Sequence, residues 1–205
     1  MATNNKEAFV TPLSQNNPIL MQVLGICSAL AVTAKLEPAI VMGLSVTIIL
    51  AFSNAIISII RKSIPKRVRI IVQLVVVATL VTIVSLLLKA FMYDVSVQLS
   101  VYIGLIITNC ILMGRLEAFA MSNKMVPSLL DGIGNGLGYA WILVVVGAIR
   151  ELFGSGTLLD YRIIPESFYQ FGYENNGMMM MPAMALIIVG CIVWVHRIIN
   201  KDIVE

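Results

Sequence analysis

The chain has 205 residues, of which 59% are hydrophobic and 12% are charged, with a net charge of +3 and a mean hydropathy of +0.94. Soluble domains carry about 25% charged residues, so this balance excludes a soluble globular protein. We therefore expect the lipid bilayer as the surroundings of the chain, and no nucleic acid as a partner.

Six long stretches contain no Asp, Glu, Lys or Arg, namely 8–34, 38–60, 70–88, 95–114, 132–149 and 175–195. A membrane-spanning helix needs about 17–25 predominantly apolar residues. Continuous apolar stretches also differ from the alternating pattern of barrel strands. The sequence therefore predicts an all-α integral membrane protein with six transmembrane helices and no soluble domain.

The first predicted span begins at Pro18, because proline suits the first turn of a helix. Residues 1–17 contain no apolar signal region, so we expect them to form a cytoplasmic N-terminal tail that precedes a retained first span. The other spans are predicted at 38–60, 70–88, 97–116, 132–153 and 178–198, and residues 199–205 are predicted to form a cytoplasmic C-terminal tail.

The loop between the second and third spans holds five basic residues and no acidic one: Arg61, Lys62, Lys66, Arg67 and Arg69. Positively charged loops stay in the cytoplasm. With both termini also in the cytoplasm, ten basic residues lie on that side of the membrane. Four lie on the other side, namely Lys35, Lys89, Arg150 and Arg162. This arrangement is the predicted topology.

The two halves of the chain, 18–91 and 97–198, follow a similar pattern. Each opens with a cysteine-containing segment, around Cys27 and around Cys110, that ends in Lys-Leu-Glu or Arg-Leu-Glu. An asparagine then follows that glutamate at a nearly equal distance in each half, Asn54 in the first and Asn135 in the second. Because three spans are an odd number, the second unit runs upside down relative to the first. The pattern predicts an inverted 3+3 repeat.

The three cysteines, Cys27, Cys110 and Cys191, lie inside apolar stretches and lack C-x-x-C spacing, which argues against a disulfide scaffold. A cysteine in an apolar helix is usually a small hydrophobic residue, and we interpret Cys191 in this way. For Cys27 and Cys110 two interpretations stay open, packing residues or metal ligands. A 2Fe–2S cluster needs four ligands, and tetrahedral zinc also needs four, so a metal site at these cysteines requires a second subunit.

Ionisable groups inside a membrane are candidates for function. Asp131 is the candidate for an ion path, and its alternative role is that of a paired side chain near a helix end. Asp131 opens a segment with glycines at 132, 134, 136 and 138. This spacing differs from the G-x-G-x-x-G nucleotide motif and favours close helix packing in a membrane.

Four motifs of the chain are specific: LGICSALAVT at 24–33, ITNCILMGRLEAFA at 107–120, DGIGNGLG at 131–138 and RELFGSG at 150–156. With these motifs, the chain resembles a family of membrane subunits from bacterial redox complexes. The family comprises the D and E subunits of the sodium-translocating NADH:ubiquinone reductase (Nqr) and the A and E subunits of the Rnf ferredoxin:NAD oxidoreductase. Rnf members usually have proline after the first cysteine, where this chain has Ser28, so the resemblance is closer to the Nqr D branch.

The resemblance implies a subunit of a sodium-pumping NADH:ubiquinone oxidoreductase in the bacterial inner membrane. In this family the homologous D and E subunits lie in opposite orientations. Each contributes two cysteines, from broken half-length helices 1 and 4, to one shared 2Fe–2S cluster. The matching positions are Cys27 and Cys110. The cluster relays electrons across the membrane and couples redox chemistry to sodium transport.

The resemblance also implies a complex of six subunits. The E subunit supplies two further cysteine ligands, and the A, B, C and F subunits complete the assembly. Electrons pass from the F subunit toward the flavin of the C subunit. Covalent flavins attach to the B and C subunits through Ser-Gly-Ala-Thr. This chain has Ser155-Gly156-Thr157 without the alanine, so we expect no flavin on it.

Three alternative functions stay open: the equivalent Rnf subunit, an inverted-repeat transporter without redox chemistry, and a structural assembly subunit whose cysteines are packing residues. The transporter alternative predicts that Cys27→Ser leaves activity intact.

Overall fold

The computed structural model describes residues 17–65, 67–91, 104–158, 161–162 and 177–199. The described chain is almost entirely helical, with one short hairpin. Its elements are α1 (Ile26–Val32), α2 (Leu36–Ile60), α3 (Arg69–Phe91), α4 (Cys110–Arg115), a π-helical turn (Leu116–Ala120), α5 (Met125–Gly154), strands β1 (Thr157–Leu158) and β2 (Tyr161–Arg162), a 3-10 turn (Gly177–Met180) and α6 (Pro182–Ile199).

Within the described residues, four of the six predicted spans correspond to helices that are long and apolar enough to cross a membrane, namely α2, α3, α5 and α6. The all-helical prediction is therefore confirmed. Helix α5 begins at Met125, well before the predicted start at 132, and Pro127 lies in its first turn, where proline is tolerated. Most of the two predicted tails, residues 1–16 and 200–205, lies outside the described residues. The predicted connection between the repeats, residues 92–96, also lies outside them.

The first predicted span is wrong in its starting point, because no helix begins at Pro18. The Oδ1 atom of Asn17 accepts hydrogen bonds from the backbone N–H groups of Ile19 and Leu20, at 3.0 and 3.5 Å, which holds the chain in a turn. Val23 and Gly25 then have positive φ values of 57° and 82°, which a continuing helix does not allow. Helix α1 consequently starts only at Ile26.

The fourth predicted span, 97–116, is also interrupted. Its residues 97–103 lie outside the described part, and a single helical turn at 104–107 is followed by an extended residue, Asn109, with φ −68° and ψ 123°. Helix α4 begins immediately after it, at Cys110, and runs into the π-helical turn. Both cysteine-containing segments are thus short helices of seven and six residues.

Helices α2 and α5 pack closely against each other through small residues. A side chain added at Gly43 would approach Cβ of Ala140 to 2.8 Å, one at Gly136 would approach Cα of Thr47 to 2.7 Å, and one at Gly132 would approach Cα of Ala51 to 2.8 Å. Positions that rise along α2 therefore meet positions that fall along α5, so the helices are antiparallel. The predicted packing role of the glycine series is confirmed at Gly132 and Gly136.

Hydrogen bonds fasten both ends of the α2–α5 pair. At one end, Ser58 Oγ and Arg61 Nη1 donate to the carbonyl oxygen of Asn123, at 2.7 and 2.6 Å. At the other end, the backbone N–H of Leu36 donates to the carboxylate of Glu151 at 2.6 Å. The pair forms the frame on which the shorter helices are mounted.

Helices α3 and α6 cover this frame only in part. In an 18-residue apolar stretch of each helix, only 17% of the residues of α3 and 11% of those of α6 are buried. Large apolar side chains such as Ile71, Leu86, Ile187 and Trp194 point outward and are more than half exposed. An apolar surface of this extent indicates a lipid or a protein environment rather than water.

Candidate functional site

The starts of the two cysteine-bearing helices lie next to each other. Gly25 precedes α1 and Asn109 precedes α4. A Cβ atom at Gly25 would stand 3.4 Å from Oδ1 of Asn109 and 3.0 Å from Cε2 of Tyr139. Cys27 is the second residue of α1 and Cys110 is the first residue of α4. Segments from opposite halves of the sequence therefore meet at one ring, that of Tyr139.

A continuous series of hydrogen bonds links these two helix starts. Asn109 Nδ2 donates to Tyr139 Oη at 3.3 Å, and Tyr139 Oη lies 2.6 Å from Ser28 Oγ. Ser28 Oγ donates its single hydrogen to the carbonyl oxygen of Gly25 at 2.9 Å, so Tyr139 is the donor in the bond to Ser28. Asn109 Oδ1 also caps α4 by accepting from Ile111 N at 3.3 Å.

The two cysteines face away from this network. Ser28 and Asn109, the sequence neighbours of Cys27 and Cys110, are buried, with 3% of their surface exposed. All three cysteines are free and exposed in the single chain. The polar side chains beside the two cysteines are therefore buried, whereas both thiols are exposed.

The donor set of the chain fits one half of a four-thiolate site. Within the described residues, no group of three or more His, Cys, Asp or Glu side chains is arranged to hold a metal ion. Cys27 and Cys110 supply two sulfur atoms, and a 2Fe–2S cluster takes four. These two cysteines can hold such a cluster only if a partner protein contributes the other two ligands.

Asp131, the ion-path candidate, is 1% exposed and already paired. Its carboxylate accepts hydrogen bonds from Nε of Arg115 at 3.1 Å, from Nη2 of the same residue and from Nδ2 of Asn135 at 3.0 Å. Arg115 ends α4, so this ion pair attaches the end of α4 to the first part of α5. The alternative role, a paired side chain, is present in the structure.

Glu117 lies in the π-helical turn and joins it to α3. Its carboxylate accepts hydrogen bonds from Arg69 and from Gln73 Nε2, the latter at 2.9 Å. Partial burial raises the pKa of Glu117, but these hydrogen bonds and the charge of Arg69 outweigh it and bring the pKa below its usual value. Glu117 is therefore ionised near neutral pH and holds α3 against the turn.

Two further residues that the fold makes central were not predicted as site residues. Tyr139 is fully buried between the two helix starts. Arg150, which the sequence analysis used in the charge count and in the RELFGSG motif, is 1% exposed and donates to the carbonyl oxygens of Met179 and Met181 and to Thr33 Oγ1, at 3.1, 3.2 and 2.8 Å. A phenol and a guanidinium within a mostly apolar helix are the signals that could have identified them.

A model of the family described as "Rnf-Nqr subunit, membrane protein" matches residues 5–193. The chain belongs to the Rnf-Nqr family of membrane proteins. It is 53% identical over 207 residues to the D subunit of the Na(+)-translocating NADH-quinone reductase of Psychromonas ingrahamii, covering 100% of this chain and 99% of that protein.

Two other relatives of this chain are also named as the D subunit of the Na(+)-translocating NADH-quinone reductase. The protein from Pseudoalteromonas atlantica is 52% identical and the one from Shewanella sp. is 50% identical, each over 200 residues, 98% of this chain and 95% of the relative. The resemblance inferred from the motifs is confirmed.

Proposed function

We propose that this chain is the D-type membrane subunit of a bacterial sodium-translocating NADH-quinone reductase and takes part in its oxidoreductase reaction. One observation carries the proposal: the chain is 53% identical, from end to end, to a relative of that name. The apolar helices fit a membrane-embedded component of such a complex.

We infer that the architecture is a six-span inverted repeat with broken helices 1 and 4. The starts of the two long helices support it. Helix α2 begins at Leu36 and α5 begins at Met125, 89 residues later, and each follows a lysine, Lys35 and Lys124. Thr47 and Gly136 are also 89 residues apart and lie against each other in the antiparallel α2–α5 pair, as equivalent residues near a two-fold axis would.

We propose that Cys27 and Cys110 hold a 2Fe–2S cluster together with two cysteines of a homologous E subunit. When bound, this group supplies one-electron transfer. The residues of this chain provide two thiolates on fixed helix starts, open toward a partner and backed by buried Ser28 and Asn109.

The proposed partners, electron path and membrane location are those that the family resemblance implies. The A, B, C, E and F subunits are the partners, electrons arrive from F and leave toward C, and this chain carries no flavin. The complex lies in the bacterial inner membrane, with both termini of this chain in the cytoplasm. The contact of Arg61 with Asn123 supports this topology, because it joins the basic loop to the loop that contains Lys124.

Asp131 is proposed as part of a sodium path through this chain. Its burial within α5 supports a functional role, since ionisable side chains are rare inside membrane-spanning segments. The pairing with Arg115 is compatible with this role if sodium competes with the guanidinium for the carboxylate.

The proposed electron relay is tested by activity measurements on the purified complex. We expect Cys27→Ser and Cys110→Ser each to abolish quinone reduction, while NADH oxidation by an artificial acceptor at the F subunit continues. Cys191→Ser is the matched control, because it replaces an exposed cysteine of α6, and it should retain quinone reduction. Normal quinone reduction in the first two variants would contradict the relay and favour a structural role.

A further inference from the structure

We propose that Tyr139 is a positioning residue that sets the spacing between Cys27 and Cys110. The proposal rests on the function inferred above, in which these two cysteines are ligands of one iron–sulfur cluster. Tyr139 touches neither the sulfur atoms nor the metal in this account. It acts on their immediate sequence neighbours, Ser28 and Asn109.

The hydrogen-bond geometry carries the proposal. Tyr139 Oη accepts from Asn109 Nδ2 at 3.3 Å and donates to Ser28 Oγ at 2.6 Å. Ser28 follows Cys27 directly, and Asn109 precedes Cys110 directly. One hydroxyl therefore ties together the residues beside both proposed ligands, and all three members of the link are buried.

The ring of Tyr139 is itself held in place. Tyr139 lies on α5 between Gly132 and Gly136 on one side and Leu143 on the other, in the part of the helix packed tightly against α2. Gly25 contacts the ring edge so closely that a Cβ atom there would approach it to 3.0 Å. The ring thus works as a fixed spacer between α1 and α4, and its hydroxyl fixes their relative position.

This arrangement explains why two short helices can present ligands with a defined separation. Neither α1, with seven residues, nor α4, with six, has enough internal hydrogen bonds to hold its start in place. Their starts are anchored instead to a 30-residue helix through one side chain. A looser anchor leaves both thiolates present but lets their separation vary among molecules.

The test is an EPR redox titration of the intact complex with Tyr139→Phe, which removes only the hydroxyl. We expect the iron to be retained and the EPR lines of the reduced cluster to broaden. At the wild-type midpoint potential, the ratio of reduced to oxidised cluster should change about threefold or more, because cluster potentials respond to local geometry and hydrogen bonding. Ser28→Ala should act in the same direction, and the double variant should add little to Tyr139→Phe alone, since both remove one link.

Ser58→Ala is the matched control, because it removes a buried hydroxyl that bonds to a backbone carbonyl at the far end of α2. It should leave line width and midpoint unchanged. If Tyr139→Phe prevents assembly, Ser28→Ala decides. Wild-type line width and midpoint in Ser28→Ala, or in an assembled Tyr139→Phe complex, overturn the proposal. Loss of iron from assembled Tyr139→Phe with normal iron in Ser58→Ala supports it.

Failure of this inference is separable from failure of the proposed function. If Cys27→Ser and Cys110→Ser remove iron but Tyr139→Phe changes neither signal nor potential, only the positioning role falls. If the cysteine variants keep their iron, the cluster assignment falls and the positioning role falls with it.

Discussion

At the scale of single residues, buried polar side chains connect elements that are distant in sequence. Arg115 joins α4 to α5 through Asp131, and Tyr139 joins α5 to α1 and α4. Cys27 and Cys110 could be selected from the sequence because their surroundings repeat. Tyr139 could not, because its importance depends on three segments that meet only in the folded chain.

Asp131 offers a residue-scale prediction that separates an ion pair from an ion path. Asp131→Asn leaves Arg115 without its carboxylate, which lowers the melting temperature of the complex. The double variant Asp131→Asn, Arg115→Gln removes both charges and should recover part of the lost melting temperature. If Asp131 also handles sodium, both variants raise the sodium concentration for half-maximal quinone reduction about tenfold, equivalent to about 1.4 kcal/mol.

The control for this experiment is Glu117→Gln, which breaks the more exposed pair with Arg69. It should leave the sodium dependence of quinone reduction unchanged. An unaltered sodium dependence in the assembled Asp131→Asn complex would rule out the ion-path role and leave Asp131 as a structural partner of Arg115.

At the scale of elements, hydropathy located α2 and α3 well, placed the start of α5 too late and missed the breaks before the short helices. Helices α2 and α3 agree with prediction to within two or three residues at each end. The cysteine-bearing segments are as apolar as the others, but the positive φ at Val23 and the capping bonds of Asn17 and Asn109 interrupt them. Hydropathy measures transfer to lipid and contains no term for such local hydrogen bonding.

The contact between α2 and α5 gives an element-scale prediction. In Gly136→Ala the new methyl group would lie 2.7 Å from Cα of Thr47, so the helices must separate. We expect a loss of about 1–3 kcal/mol in stability, typical of overpacking, and less assembled complex. Thermal denaturation of the purified complex measures this effect.

Gly190→Ala is the matched control, since a methyl group at Gly190 in α6 would meet nothing within 4 Å. This variant should be neutral or slightly stabilising, because alanine favours helix more than glycine does. Equal melting temperatures for the Gly136 and Gly190 variants would contradict the close packing of α2 against α5.

At the scale of the whole molecule, the inverted repeat stays a prediction, and its register depends on which features of the two halves are compared. Pairing Asn54 with Asn135 implies a spacing of 81 residues, whereas the starts of α2 and α5 are 89 residues apart. Lys35 with Lys124 and Arg61 with Arg150 also differ by 89.

The difference lies between the first cysteine of each half and the helix that follows. The segment from Cys110 to Lys124 is longer than the segment from Cys27 to Lys35, and the π-helical turn Leu116–Ala120 lies within the longer one. An insertion of this kind shifts a motif-based alignment, and the starts of α2 and α5 reveal it.

The topology is a prediction for the whole molecule. Lys35 and Ser63 are exposed at opposite ends of α2. In intact spheroplasts, a membrane-impermeant maleimide should label Lys35→Cys, and Ser63→Cys should react only after permeabilisation. The wild-type complex reports background from the native cysteines. The reverse labelling pattern would place the basic loop outside and invert the proposed orientation.

The most direct test of the central claim is the iron content of the purified complex, with EPR of the reduced state, in Cys27→Ser, Cys110→Ser and Cys191→Ser. If Cys27 and Cys110 are ligands of one cluster, each of the first two variants loses the same two irons and the same EPR signal, while Cys191→Ser keeps both. Unchanged iron and signal in Cys27→Ser and Cys110→Ser would contradict the claim, and the two cysteines would then be packing residues.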